Sequence, residues 1–457
     1  MRPRNVATLV IAGLALAATA SCSSSGNSGT PAAADTGPVK ISVDCEPPTT
    51  QPADRANWVA DVASFEKLHP NITIESQDSY PCDDPNTFTA KLASGQMADV
   101  FYLYFTDAAK VIASGQAADI QQYVSTVPHY TDIQSAVRAV FQQNGNGDVY
   151  GLPKTNYSMG LVYNRDLFTQ AGLDPNSPPT TWAEVAADAK KITALGNGTV
   201  GYGDYSAGNT GGWHFTAEIY SLGGTMVSAD GKSAAFNSPQ GIAVLNNLKQ
   251  MRWTDNTMGS KQLLQYADLP TMMASGKLGM YIGAPDNVTT IHDQFKGSFA
   301  NLGMGPMPGD GTNTPGTLVG GDGYMFNKHD SAAQIKAGLL WLEYENLTPG
   351  QGQFNYQRAA AAGQPVGLPQ PDLWLGATAT ADAAAKAKYA DLPTTNYQTY
   401  IATTPQLKAN LEPPQAQAIY KVLDNVMSAV LTNQSADPGS LLSQATTQVN
   451  SILANAQ

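Results

Sequence analysis

The sequence predicts an α/β fold, and three observations carry that prediction. Short β-prone runs alternate with segments of helical periodicity. At 457 residues the chain is too long for a single core. Its 42 glycines and 14% charged residues describe a turn-rich globule.

Taken in order, "VKISVDC" (39–45) reads as a strand. "ANWVADVASFEKLHP" (56–70) puts Trp58, Val62, Phe65 and Leu68 on one helical face and stops at Pro70. "NITIES" (71–76) is a second strand and "TFTAKLASGQ" (87–96) a helix. "ADVFYLYF" (98–105) is a buried strand and "DAAKVIASG" (107–115) another helix. This βαβαβ order calls for a mostly parallel sheet with helices on both faces, in which ligands gather at the carboxyl ends of the strands. No internal repeat of fixed period interrupts it.

Ahead of the first strand, Arg2 and Arg4 precede the apolar run "VATLVIAGLALAATA" (6–20). That run has the length of a secretory h-region and falls short of the roughly 20 residues a spanning helix needs. Ala20 and Ser21 lead into Cys22, which resembles the lipobox of bacterial lipoproteins, although Thr19 stands where Leu or Val is usual. The competing reading is an ordinary signal peptide with an incidental cysteine. Residues 23–37, "SSSGNSGTPAAADTG", lack the apolar side chains that offset ordering entropy and read as a flexible tether. Residues 1–21 are therefore expected as a signal peptide and 22–38 as anchor and tether, holding the protein on the outer face of the cell membrane. Cys45 and Cys82 remain, and in an oxidising compartment they are expected to form a disulfide. Metal binding is the alternative, but two cysteines without Cys-x-x-Cys spacing or a neighbouring histidine make a poor zinc site.

A net charge of −12 and a sequence pI near 4.8 argue against nucleic acid and against a polybasic grip on acidic lipid. No second long apolar run appears, so membrane contact is expected through the lipid alone.

Four blocks carry a family resemblance. Residues 91–120, 147–193 ("GDVYGLPKTNYSMGLVYNRDLF…") and 273–288 ("MASGKLGMYIGAPDNV") are similar to landmark segments of the family 1 extracellular solute-binding proteins of ABC importers, the group that includes maltose-binding protein. Residues 320–345 resemble the segment in which such chains recross between lobes. The last eighty residues, mainly Ala- and Gln-rich helix, match less clearly. The resemblance implies a two-lobe clamp closing on a solute and presenting it to a permease. It implies discontinuous lobes, 39–153 with 323–371 and 154–322 with 372–457, and crossovers near Pro153 to Thr155, Leu318 to Gly323 and after Pro371. Gly320, Gly321 and Gly323 suit a hinge because glycine tolerates dihedral change. A monomer without cofactor is expected.

Carbohydrate binding needs aromatic faces for the C–H side of a pyranose and polar groups for its hydroxyl rim. Predicted strand ends offer Glu46, Tyr104, Asp107, Asn156 and Tyr157. Trp213 lies in the glycine-rich "GNTGGWHF", read as a loop, and Asp286 follows "GMYIGAP", where many relatives carry an aromatic residue. Asp322 lines the cleft or holds a hinge turn; Trp374 is a candidate second platform. Each has a plainer alternative: Tyr104 and Tyr157 as caps on a core, Trp213 as a packed loop residue, Glu46 as a loop residue beside the disulfide. Trp58, Trp182 and Trp341 sit among aliphatic residues at helical spacing and are expected in the core. Of the histidines only His214, beside Trp213, merits attention.

Enzyme signatures are missing from the sequence: His-Glu-x-x-His, Gly-x-Ser-x-Gly and a Rossmann Gly-x-Gly-x-x-Gly do not occur where they would act. "GTMVSADGKS" (224–233) has the wrong spacing for a phosphate loop and reads as a hairpin turn, and "NGNGDVY" (144–150) lacks the glycine and glutamate of a calcium loop. The expectation is a lipid-anchored carbohydrate receptor for an ABC importer, oligosaccharide favoured. A secreted glycoside hydrolase, using two carboxylates such as Glu46 and Asp286 across a sugar, is the competing class. A receptor for a non-sugar solute is the third reading, with few basic residues near the site for a phosphate.

Overall fold

The computed structural model describes residues 37–78, 82, 85–143 and 147–455. The expected signal peptide, tether and Cys22 lie outside the described residues. Ten strands follow in chain order: β1 (Val39–Val43), β2 (Ile72–Ser76), β3 (Val100–Tyr104), β4 (Gly151–Ser158), β5 (Gly160–Asn164), β6 (Val200–Tyr202), β7 (Leu278–Gly283), β8 (Leu302–Gly305), β9 (Gly316–Phe326) and β10 (Lys408–Leu411). They form two sheets flanked by helices, one six-stranded in the order β10-β9-β3-β1-β2 with β4 also on β9, the other β6-β7-β5-β8.

The parallel reading holds for β1 with β2 and β3. Elsewhere the sheets are mixed, because β9 runs antiparallel to β3 and β4, and β5 runs antiparallel to β7 and β8. The predicted hairpin turn is present as a Val227–Ala234 bridge. Core side chains fall into separate groups. One draws on Ile41 to Leu152 and Tyr324 to Trp374, and two others on Met159 to Leu318 and Leu392 to Leu453. Core membership passes from the first group to the second between Leu152 and Met159, and back between Leu318 and Tyr324, along β4 and β9.

Helix ends follow local chemistry. The helix Trp182–Thr193 starts with a capping box in which Thr181 and Glu184 satisfy each other's backbone. The helix Pro52–Leu68 departs from the expected face: Trp58 and Phe65 are buried, but Leu68 is exposed and Asp61 turns inward instead. An inward carboxylate needs a partner, and Arg358 supplies it. Trp58, Trp182 and Trp341 are buried, as their spacing requires.

Cys45 and Cys82 are joined, with Cα atoms 5.0 Å apart, tying the end of β1 to the chain after β2 across 37 residues. Replacing both by alanine is expected to lower the unfolding free energy by about 3–4 kcal/mol, the chain-entropy value for a loop of that order. Denaturant titration checks this; an unchanged midpoint and slope would mean that the bridge contributes no stability.

Candidate functional site

The site grows from the middle of β9. Asp322 there is paired in register with Tyr104 of β3 on one side and Thr155 of β4 on the other. Its carboxylate accepts from the Tyr102 hydroxyl at 2.6 Å, the Thr155 hydroxyl at 2.6 Å and the Thr155 backbone N–H at 3.1 Å. With both oxygens engaged, Asp322 fastens three strands together. The neighbouring glycines also differ from expectation. Gly320, Gly321 and Gly323 are extended, none at positive φ. They provide space: a Cβ on Gly320 would collide with the Tyr157 ring, and one on Gly321 would lie 2.7 Å from the Phe105 ring.

Where the strands end, side chains from both lobes enclose a cavity of about 470 Å³. Tyr104 and Asp107 enter from the first lobe, from β3 and the helix Phe105–Ala113. Tyr157, Trp213, Tyr266, Glu412 and Tyr420 enter from the other side. Tyr104 is 40% exposed and its ring meets Tyr102 edge-on at 5.7 Å. Trp213 is half-buried, edge-on to Tyr157 at 6.3 Å. Aromatic faces thus stand on both sides of a space whose remaining lining is hydroxyl, amide and carboxylate.

Trp213 does not sit on a loop. It lies in the helix Thr210–Ser221, whose N-terminus is capped by Asp424 accepting from the Asn209 and Gly212 backbone N–H groups at 2.6 and 2.9 Å. The glycines before it serve packing. A Cβ on Gly212 would collide with the Tyr420 backbone, so only glycine lets the helix Ala416–Thr432 approach and bring Tyr420 beside Trp213. Beneath, buried His214 holds Asp204 through Nδ1 at 2.6 Å and packs on Tyr205 at 4.5 Å. Loss of water, reinforced by Asp204, pushes the neighbouring Glu218 well above the carboxylate range. His214 is therefore a supporting residue beneath the platform.

The carboxylates of the cavity are perturbed by burial. Glu412 accepts from the Tyr420 hydroxyl at 2.8 Å, and loss of water, with a contribution from Asp107, pushes it up to about 7. Burial raises Asp107 as well, against the Thr106 hydroxyl that holds it at 3.1 Å. Asp286 opens to solvent at the start of the helix Asp286–Asp293 but is crowded by protein, which raises its pKa, while the Tyr266 hydroxyl at 3.0 Å opposes the shift.

Three expected site residues stand elsewhere. Glu46 is buried and paired with Arg55 at 3.1 Å, close to the disulfide. That removes it from a catalytic pair with Asp286. Trp374 is buried in the first lobe against Phe354, centroids 4.5 Å apart, and borders a different cavity shared with Asn156. Asn156 points to the opposite face of β4 from Tyr157, as strand alternation demands, and lines the cavities on that side. The sequence reading missed Tyr266, Glu412, Gln417 and Tyr420. Glu412 directly follows β10 and bears the same strand-end signal that selected Asp107. Among the described residues no cluster of His, Cys, Asp and Glu could hold a metal, and no helix is long and apolar enough to cross a membrane.

The family model described as bacterial extracellular solute-binding protein matches residues 48–344. A putative binding protein of Brucella abortus is 31% identical over 176 residues, 38% of this chain and 41% of that one. The sn-glycerol-3-phosphate-binding periplasmic protein UgpB of Yersinia pseudotuberculosis is 26% identical over 247 residues, 51% of this chain and 53% of that one. The chain thus spans about half, or less, of the length of the curated relatives it matches. Among solved structures, the cyclic alpha-maltosyl-1,6-maltose binding protein of Arthrobacter globiformis superposes with a TM-score of 0.70 at 21% identity, covering 92% of this chain and all of that one. At that identity the likeness establishes the fold.

The Glu412 shift gives a stability prediction. Between the ordinary glutamate value of 4.5 and about 7 the unfolded chain releases this proton and the folded chain keeps it. Stability contributed by the site is therefore full below 4.5, falls across that window and is flat above it. The difference in melting temperature between the ligand-free parent and Glu412→Gln, measured from pH 4 to 8, is expected to follow this curve. Parallel curves would show that Glu412 titrates normally.

Proposed function

Because the chain belongs to the bacterial extracellular solute-binding proteins, we propose that it is a receptor that holds a carbohydrate between its lobes and delivers it to the permease of an ABC importer. The single observation behind the ligand class is the cavity in which Tyr104 from one lobe faces Trp213 and Tyr157 from the other across a polar rim. A pyranose offers apolar C–H faces and a belt of hydroxyls, which matches ring walls and carboxylate or amide edges. A cavity lined by Lys154 and Gln353 adjoins this one through Tyr104, giving length for an oligosaccharide. Binding across both lobes favours the closed arrangement by the ligand's differential affinity for the two states. The chain is a binding protein, as its relatives are, and not a hydrolase. Lipid on Cys22 would keep the receptor at the membrane beside its permease.

Two outcomes are expected. A screen of neutral mono- and oligosaccharides by thermal shift should find a ligand that raises the melting temperature. Trp213→Ala should then weaken it tens- to hundreds-fold in calorimetry, about 2–4 kcal/mol, and reduce compaction in small-angle scattering. A Trp213→Ala protein that binds and compacts like the parent would show the tryptophan to be packing only. Mass spectrometry of the mature protein from membranes should find diacylglyceryl on Cys22; a different, unmodified N-terminus would overturn the anchor.

A further inference from the structure

The aromatic cavity has two carboxyl groups in its walls and no basic side chain among its described lining residues. Asp107 and Glu412 enter it from opposite lobes, Asp107 adding to the upward shift of Glu412, and Asp286 outside the lining accepts from the Tyr266 hydroxyl. Among the described residues lining the cavity none is Lys, Arg or His. Basic groups in the vicinity stand outside this lining. Lys110 donates to Thr89 at 3.0 Å and bears on Asp107 from there, Lys154 lies over the buried Tyr102 ring at 5.5 Å and lines the adjoining cavity, and His214 is buried against Asp204. A phosphorylated or carboxylated ligand would meet repulsion here. A neutral hydroxyl can donate to these groups but does little to favour their ionised form against burial. An ammonium group does favour it, with charge-assisted hydrogen bonds to the carboxylates and with attraction to the faces of Trp213, Tyr104 and Tyr420.

Resting on the carbohydrate reading above, we propose that the ligand is an amino sugar whose protonated amine sits between Asp107 and Glu412 against the aromatic walls. The two carboxyls whose ionisation burial disfavours in the free protein then become two acceptors for one cation. Selectivity against anionic relatives of the same sugar follows from the absence of any basic side chain in the lining.

The test is calorimetry with matched probes: glucosamine, galactosamine, mannosamine and the glucosamine disaccharide, each beside its N-acetyl form and its neutral parent. One amine is expected to bind about ten- to thirty-fold more tightly than its N-acetyl form, the range of a desolvated cation over aromatic faces. Raising the salt concentration should shrink that ratio. The double variant Asp107→Asn, Glu412→Gln should abolish it, with folding checked by the ligand-free melting temperature. If that variant is unstable, Asp107→Asn alone, at a residue that accepts from the Thr106 hydroxyl, should reduce the ratio several-fold. N-acetyl or neutral members that bind as tightly as the amines would overturn the amine and leave the carbohydrate reading standing. No binding by any member would overturn both.

Discussion

The carboxylate of Asp322 is the contact on which the rest of the arrangement depends. Three donors from two strands converge on it at the point where β9 passes from one lobe to the other. A carboxylate so held is strongly directional, and removing it would strand the Tyr102 and Thr155 donors. Because β3, β4 and β9 are fixed in register there, the residues just beyond it are fixed as well. Tyr104 leaves β3 opposite Asp322, Gly321 forms the floor, and Tyr157 rises from β4 two residues after Thr155. The cavity walls are thus extensions of one hydrogen-bonded crossing.

The opposite wall has its own support. Asp424 caps the helix bearing Trp213, and Gly212 allows the helix bearing Tyr420 to pack against it. Below it lie Asp204, His214, Glu218 and Tyr202, a buried polar group in which the raised Glu218 accepts from Tyr202 at 3.0 Å. The His214–Asp204 and Tyr202–Glu218 bonds tie the helix bearing Trp213 to the end of β6 beneath it. Trp213 can then be half-exposed without being mobile.

How much of this was legible in the sequence depended on period. Strand alternation and strand-end position placed Tyr104, Asp107 and Tyr157 beside the cavity from a few residues of context. The same alternation separates Asn156 from Tyr157, a consequence that reading both as site residues overlooked. Glycines misled twice, before Trp213 and in β9, because glycine marks both free dihedrals and close packing, and only three-dimensional neighbours distinguish them. Glu412 was hidden because β10 has four residues, none of them fully buried, within an Ala- and Gln-rich tail. Glu46 and Trp374 failed for a further reason. A polar or aromatic residue in a turn gives no local sign of the distant partner, here Arg55 or Phe354, that draws it inward.

Whether the cavity between Tyr104 and Trp213 is the ligand site is answered most directly by a crystal structure with the sugar that most raises the melting temperature. The account predicts a sugar ring against the Trp213 face, its polar groups within about 3 Å of Asp107 or Glu412, and the two lobes drawn together. A sugar bound instead on the other face of β4, in the cavity lined by Asn156 and Trp374, would contradict it.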